Sequence, residues 1–301
     1  MIGLIAGKSG DSLTDELHNV GHQVAIVCGY DNEPGSDLAD EVCISDLRNV
    51  NEIISFFKEH DVKKVIIGTG HRFAFDLVEE LEHNDIHTNI EIEKSKLAKN
   101  KWLFKKELDK ISILTPQAEL FEKGEVDSRI NNLALYPCVA KSTNDSFQPE
   151  KVNSKEELIE LIERERHTFQ NSDLMLEQYI NGYDCTVAVS SDGSIVKDYG
   201  ITYYSKAKEY GLKGFEEADT CKFDKATEYE ICKIAREVVE KCGFKGLVRL
   251  DFIIKEKDIY VLELNTVMVT GYHGSAYPFF KANGINIAKE AVNVTLKILG
   301  A

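Results

Sequence analysis

Two short stretches near the C-terminal end bring together residue types that suit phosphate and metal chemistry. In Leu247-Val248-Arg249-Leu250-Asp251-Phe252-Ile253 polar residues alternate with apolar ones, and Ile259-Tyr260-Val261-Leu262-Glu263-Leu264-Asn265 repeats the pattern. Successive side chains of a β-strand point to opposite faces, so Arg249 and Asp251 share one face of the first strand and Glu263 and Asn265 share one face of the second. If the two strands pair as a hairpin around Lys255-Glu256-Lys257, an arginine, two carboxylates and an amide converge on one patch. Burying so many charges is costly unless they are paired or hold a metal. Asp251, Glu263 and the carbonyl of Asn265 are hard oxygen donors suited to Mg²⁺, with Mn²⁺ as a second choice. Arg249 suits phosphate oxygens or a developing oxyanion. The alternative is an ordinary polar sheet face with an Arg–Asp pair. Glutamate and asparagine are poor strand formers, and their occupying alternating slots weighs against that alternative.

Other residues could serve the same chemistry. Leu135-Tyr136-Pro137-Cys138-Val139-Ala140-Lys141 ends a strand-like run on a lysine, whose stem can lie in the core while its ammonium emerges at one point, toward solvent or toward a ligand. Lys94–Leu108 reads as a basic helical stretch (Lys94, Lys96, Lys99, Lys101, Lys105, Lys106), with Leu97, Trp102 and Leu108 as its apolar members. It is either a solvated face or a segment that aims one lysine at phosphate. The first turn, Ala6-Gly7-Lys8-Ser9-Gly10-Asp11-Ser12, is G-x-x-G rather than G-x-G-x-x-G, so it makes a tight turn or approaches an anion without being a dinucleotide fingerprint.

With these residues in view, the chain resembles the ATP-grasp family. Its carboxylate–amine ligases, the D-alanine–D-alanine ligases and the carbamoyl-phosphate-synthetase-like members, offer the nearest comparisons. The family's late R-x-D and E-x-N strands stand here as Arg249-Leu250-Asp251 and Glu263-Leu264-Asn265, and its adenine hinge as Glu177-Gln178-Tyr179-Ile180-Asn181-Gly182-Tyr183-Asp184. Its two phosphate lysines match Lys101 (or neighbouring Lys99) and Lys141. The resemblance runs from about residue 93 to 301, behind an N-terminal αβ domain of the family's type. It implies an ADP-forming ligase that activates a small carboxylate as an acyl phosphate and joins it to an amine, with ATP and Mg²⁺ as cofactors. Arg249 and Lys141 would be catalytic. Lys101, Lys141, Glu177, Gln178, Ile180 and Asp184 would hold the nucleotide, and Asp251, Glu263 and Asn265 the metal. Alternatives are an ATP-binding relative without ligase activity, or an enzyme whose acceptor is not an amine.

Three stretches depart from the family's usual pattern or await a role. Ser142-Thr143-Asn144-Asp145-Ser146-Phe147-Gln148-Pro149 has no glycine where the family closes a glycine-rich loop over phosphate. Thr266-Val267-Met268-Val269-Thr270-Gly271-Tyr272-His273-Gly274-Ser275 replaces the serine-proline-glycine turn of the D-alanine ligases. Tyr203–Asp219, with little apolar periodicity, reads as a lid. His71, Tyr272 and His273 are candidates for lining a substrate pocket.

The elements that must position these residues follow from periodicity. Ile2–Ala6, Gln23–Cys28 and Lys64–Gly68 are short continuous apolar runs, as in buried parallel strands. Asp11–Val20, Val50–His60 and Phe73–His83 between and after them carry helical spacing. Such alternation predicts a doubly wound α/β domain over 1–92. A linker helix and central α+β lobe would then fill 93–182, and a C-terminal lobe with the metal site 183–301. Within these, Ser154–Arg166 is a helix opened by a capping box with Glu157, and Ser191-Asp192-Gly193-Ser194 turns a hairpin. Glu228–Cys242 and Ile285–Leu299 are amphipathic helices.

Composition sets the outer bounds. The 301 residues are 43% hydrophobic and 29% charged with 5 prolines, which excludes collagen-like, coiled-coil and disordered classes. A formal charge of −15 argues against nucleic acid or an anionic membrane as the main partner. No apolar run approaches the roughly 20 residues of a membrane span. Met1–Ala6 reads as a strand rather than a signal peptide. Seven cysteines without a C-x-x-C pair read as free, mostly buried thiols of a reducing cytoplasm. The partners expected are small molecules, and the resemblance leaves room for a homodimer.

Overall fold

A computed structural model of the chain describes residues 1–123, 125, 135–143, 148–203 and 223–301. Its N-terminal sheet is parallel and built from Ile2–Ile5 (β1), Val24–Cys28 (β2), Glu41–Ile44 (β3), Lys64–Ile67 (β4) and His87–Thr88 (β5), in the order β3-β2-β1-β4-β5. The three strands expected from their apolar runs occupy the middle of the sheet, where both faces are covered. The two edge strands escaped the periodicity: β3 alternates half-buried and exposed residues, and β5 has only two. Gly10–Asn19 (α1), Val50–Glu59 (α2) and Arg72–His83 (α3) supply the crossovers. Strand order reverses between β1 and β4, so the turns at their carboxyl ends open onto the crevice where doubly wound sheets take ligands.

The glycines of the first turn serve chain packing. A Cβ on Gly10 would lie 1.7 Å from the carbonyl oxygen of Pro34, so only glycine lets these two backbones touch. The turn's serines face the C-terminal lobe. Ser9 Oγ accepts the backbone N–H of Thr270 at 3.2 Å, and the hydroxyls of Ser12 and Thr270 lie 3.0 Å apart.

The basic stretch is two helices, Ile92–Lys99 (α4) and Lys101–Lys110 (α5). Asn100 separates them, and its side chain caps α5 by accepting from Leu103 N–H at 3.0 Å. The break puts Lys101 in the first turn of α5. Ala98, Phe104 and Leu108 from these helices pack into the core of the C-terminal lobe, together with Phe244 and Val261. Residues 93–110, grouped with the central lobe by the sequence division, thus share their core with the C-terminal one.

The central lobe is an antiparallel sheet of Ala118–Phe121 (β6), Cys138–Ser142 (β7), Glu150–Val152 (β8) and Leu174–Gln178 (β9), ordered β6-β9-β7-β8. Lys155–Arg164 (α6) and Arg166–Asn171 (α7) cover it through Leu158, Leu161 and Phe169. The serine half of the capping box is formed, with Ser154 Oγ accepting from Glu157 N–H, while the Glu157 carboxylate reaches one residue further and accepts from the N–H and side-chain amide of Asn153.

The C-terminal lobe contains Tyr183–Ser191 (β10), Val196–Tyr203 (β11), Gly246–Lys255 (β12) and Asp258–Asn265 (β13), antiparallel in the order β11-β10-β12-β13. Lys225–Cys242 (α8) lays Ile231, Ala235 and Val238 on one face of this sheet. Tyr277–Ala282 (α9) and Ile287–Leu299 (α10) close the chain. Val292 and Leu296 of α10 share a core with Leu13 and Leu17 of α1 and with Leu247 of β12, so one apolar cluster spans the N-terminal domain and the C-terminal lobe. Six described cysteines are free, Cys28, Cys138, Cys185 and Cys242 of them buried; Cys221 lies outside the described residues. No helix among the described residues is long and apolar enough to cross a membrane.

Candidate active site

The hairpin forms, and its register brings the four chemical residues together. Arg249 stands opposite Asn265, and Asp251 opposite Glu263. Directly opposed residues of an antiparallel pair have Cβ atoms about 4.5–5.5 Å apart, so the four make one patch. Within it their states differ. Asp251 is 2% exposed. Its Oδ1 accepts from Thr186 Oγ1 at 2.7 Å and Arg249 Nε at 3.0 Å, and its Oδ2 from Arg249 Nη2 at 3.1 Å. Thr186 is Asp251's cross-strand neighbour on β10, so the carboxylate is held from two sides. Glu263 keeps a third of its side chain exposed, with Lys101 Nζ 3.7 Å from its Oε2.

This donor set fits a hard divalent cation. Glu263 and Asp251 bring two carboxylates, and Asn265 brings an amide whose buried Nδ2 has no hydrogen-bond partner among the described residues. A polar end left unpaired inside a charged cleft is costly without a ligand, and rotation of the amide would present its oxygen instead. Glu263 and Asn265 are the more accessible members, because Asp251 is already engaged by Arg249.

Across the cleft, Lys141 and Glu177 sit on adjacent strands β7 and β9, both nearly buried. Lys141 Nζ donates to Glu177 Oε1 at 2.5 Å, so the lysine that ends the strand does deliver its ammonium to a defined point inside the protein. A third member was not singled out in the sequence. Lys105 of α5 is 4% exposed and places Nζ 2.6 Å from Glu177 Oε2. It also donates to Thr115 Oγ1 at 2.6 Å and to the Pro116 carbonyl at 2.9 Å. Burial pushes the Glu177 carboxyl up, but the pull of Lys141 and Lys105 outweighs it and holds the group below its ordinary range. Burial lowers Lys105 in spite of that carboxylate, and the neighbouring ammonium of Lys141 lowers it further. The signal was available: Lys101, Phe104, Lys105 and Leu108 form an i, i+3, i+4, i+7 stripe, the buried face of α5.

Helix α5 joins the two halves of the site. Its Lys101 N–H donates to the Thr143 carbonyl beyond β7 at 3.0 Å, while the Lys101 side chain reaches Glu263 on β13. Lys99 places its ammonium 3.4 Å from the centroid of Phe75 instead. The turn Gly70, Phe75, Lys99, Lys101 and Glu263–Val267 enclose a cavity of about 110 Å³ beside the patch, facing the crevice of the N-terminal sheet.

The hinge after β9 shows which of its groups remain open. The N–H groups of Gln178 and Tyr179 are bound to the carbonyls of Gln117 (2.7 Å) and Pro137 (3.1 Å), so of the backbone polar groups of Gln178 the N–H is already taken. The N–H of buried Ile180 has no such partner among the described residues. Gly182 passes so close to β12 that a Cβ there would lie 2.5 Å from the Ile254 carbonyl oxygen. Asp184 follows at the exposed start of β10. His71 occupies the N-cap position of α3 without a capping hydrogen bond from its side chain, and the rings of Tyr272 and His273 lie tilted with centroids 3.8 Å apart, Tyr272 being mostly exposed. Residues 144–147 of the glycine-free loop and 204–222 of the expected lid lie outside the described residues.

Comparison with known proteins bears on the family and the fold. Residues 108–289 match the family model described as D-ala D-ala ligase C-terminus. The carbamoyl phosphate synthase large chain of Saccharolobus solfataricus is 25% identical over 269 residues, covering 85% of this chain and 24% of that protein. The chain spans about a quarter of the length of the curated relatives it matches. Among solved structures, D-alanine–D-alanine ligase from Bacillus anthracis complexed with ATP superposes with a TM-score of 0.72 at 21% identity, covering 99% of this chain and 97% of that one. The biotin carboxylase domain of Hydrogenobacter thermophilus 2-oxoglutarate carboxylase reaches a TM-score of 0.80 at 17% identity, over 98% and 69%. Matched to the family model over more than half its length, and sharing the ATP-grasp fold with those structures, the chain belongs to the D-ala D-ala ligase C-terminus family.

Proposed function

We propose that the chain is an ADP-forming, ATP-dependent ligase that activates a small carboxylate as an acyl phosphate and joins it to an amine. One observation carries this reading: the patch of Arg249, Asp251, Glu263 and Asn265 shares a cleft with the buried Lys141–Glu177 pair, and α5 bridges the two. Phosphoryl transfer asks the protein mainly for positioning and neutralisation of charge, and this is what such residues offer.

In the first step a carboxylate oxygen of the substrate attacks the γ-phosphorus of ATP and the bond to the β-phosphate oxygen breaks, releasing ADP. In the second, the amine nitrogen attacks the acyl carbon, inorganic phosphate leaves and the nitrogen loses a proton. Arg249 turns its guanidinium to the transferring phosphoryl group and then to the oxyanion of the tetrahedral intermediate. Lys141 and Lys101 neutralise phosphate oxygens. Glu177, held as a carboxylate, accepts from the amino group of adenine, the Gln178 carbonyl assists, and the free N–H of Ile180 donates to the ring. Asp184 takes the ribose hydroxyls. Glu263, Asn265 and Asp251 would hold Mg²⁺, which when bound supplies charge neutralisation between the phosphates. The free thiols and lack of a membrane-spanning helix among the described residues support a cytoplasmic enzyme.

A screen of small carboxylates paired with amines, read as Mg²⁺-dependent release of ADP from ATP, tests the proposal. At least one pair should raise ADP release well above the rate with ATP alone, and Arg249→Ala should lower that rate about 10²–10³-fold. ADP release that no carboxylate stimulates, or that Arg249→Ala leaves within a few-fold of the parent, would contradict it.

A further inference from the structure

Lys105 is the charged group that the proposed reaction leaves unused. It is as deeply buried as the core, and its ammonium has three oxygen neighbours: Glu177 Oε2, Thr115 Oγ1 and the Pro116 carbonyl. All three belong to the protein: the ammonium donates to Thr115 and Pro116 and forms an ion pair with Glu177, so it is engaged within the protein rather than turned to phosphate. Lys141 differs, since among the described residues Glu177 Oε1 is the one acceptor of its ammonium, which leaves hydrogens for a ligand. Two lysines thus flank one carboxylate, one facing the cleft and one anchored behind it.

We infer that Lys105 is a positioning residue for the nucleotide base, fixing Glu177 as an ionised, oriented carboxylate so that the site selects a purine carrying an exocyclic amine at C6. This rests on the nucleotide reading of Glu177 proposed above. An ionised carboxylate can only accept hydrogen bonds. It pairs with the 6-amino group of adenine and opposes the 6-carbonyl of hypoxanthine or guanine. Were Lys105 absent, Glu177 would be left with Lys141 alone, the ammonium that must also serve the phosphates. The carboxyl would then turn toward Lys141 or take up a proton and become a donor, and either change erases the preference. The anchoring is geometric: α5 carries Lys105 on the stripe that holds Lys101 against Glu263, and the connection to β6 supplies Thr115 and Pro116.

The experiment is calorimetric titration of the intact protein with Mg·ATP and with Mg·ITP, whose base has a carbonyl at C6. The parent should bind ATP far more tightly than ITP. Lys105→Met should weaken ATP about 10- to 100-fold, the range for losing a hydrogen bond to a charged group, and ITP much less, so that the ratio collapses. In the Glu177→Gln background the same substitution should change ATP affinity less than about two-fold, because no carboxylate remains to be positioned. A parent that binds no ATP removes the nucleotide reading and this inference with it. A parent that binds ATP, beside a folded Lys105→Met variant that keeps both affinities, overturns the role of Lys105 alone. Should Lys105→Met not fold, the double variant decides: affinities close to those of Glu177→Gln support the role, and ATP binding about ten-fold weaker than in Glu177→Gln overturns it.

Discussion

Glu177 is a carboxylate buried between two ammoniums, and its energetics follow from that arrangement. Removing one partner of a buried charge cluster costs about 3–5 kcal/mol, since the remaining charge is left uncompensated. Glu177→Gln should therefore lose stability of that order at pH 7, measured by urea unfolding. The carboxyl titrates below its ordinary 4.5 in the folded protein, so its contribution is fully present above the unfolded value and fades as pH falls through the folded one. The gap between parent and variant should accordingly narrow below about pH 4.5. A gap that stayed constant there would mean that Glu177 is not the group holding the two lysines. At this scale the sequence was informative where a strict two-residue period displayed the chemistry, at Arg249, Asp251, Glu263 and Asn265. It was silent on Lys105, because a basic stretch with six lysines between Lys94 and Leu108 does not announce which of them turns inward. The stripe through Phe104 and Leu108 does so only once Asn100 is known to start a new helix.

Elements were legible in proportion to their burial. The central parallel strands, the capped helix after Ser154 and the hairpin after Cys242 have patterns dictated by packing on one or both faces. The edge strands Glu41–Ile44 and His87–Thr88 do not, since an edge buries too little to impose a period. Nor does residue type alone divide Lys94–Leu108, where a side-chain cap at Asn100 overrides continuous helical propensity. The hinge between β9 and β10 depends on a close approach that no periodicity encodes. Gly182→Ala would force a methyl to within 2.5 Å of both the Ile254 carbonyl oxygen and Ile253 Cγ2. Overpacking of this kind costs about 1–3 kcal/mol, and here it also shifts the hinge that carries Ile180 and Asp184. Gly182→Ala is expected to lower the melting temperature and weaken nucleotide binding together. A variant as stable as the parent would show that the strands separate freely at this point.

The whole molecule is organised so that the N-terminal domain stands over the carboxyl end of the β12–β13 hairpin. The shared core of α1, α10 and β12 sets that orientation, and the Ser9–Thr270 bond ties the first turn to the loop that follows Asn265. Ser9→Ala leaves the buried Thr270 N–H without its acceptor, at about 1–3 kcal/mol, and frees the loop lining the cleft. Limited proteolysis should then cut near residues 266–275 faster than in the parent, and equal protection would assign the tie to the apolar core alone. The chain carries a formal charge of −15, yet Lys101, Lys141 and Arg249 gather in one cleft, which gives a polyanion cationic partners there. Calorimetric titration with Mg·ATP tests this most directly, performed on the parent, Lys141→Ala and Glu263→Gln. One molecule should bind per chain of the parent. Binding should weaken sharply in Lys141→Ala, and in Glu263→Gln it should persist while losing its dependence on Mg²⁺. No binding by the parent, or binding that both substitutions leave unchanged, would contradict a nucleotide site built from these residues.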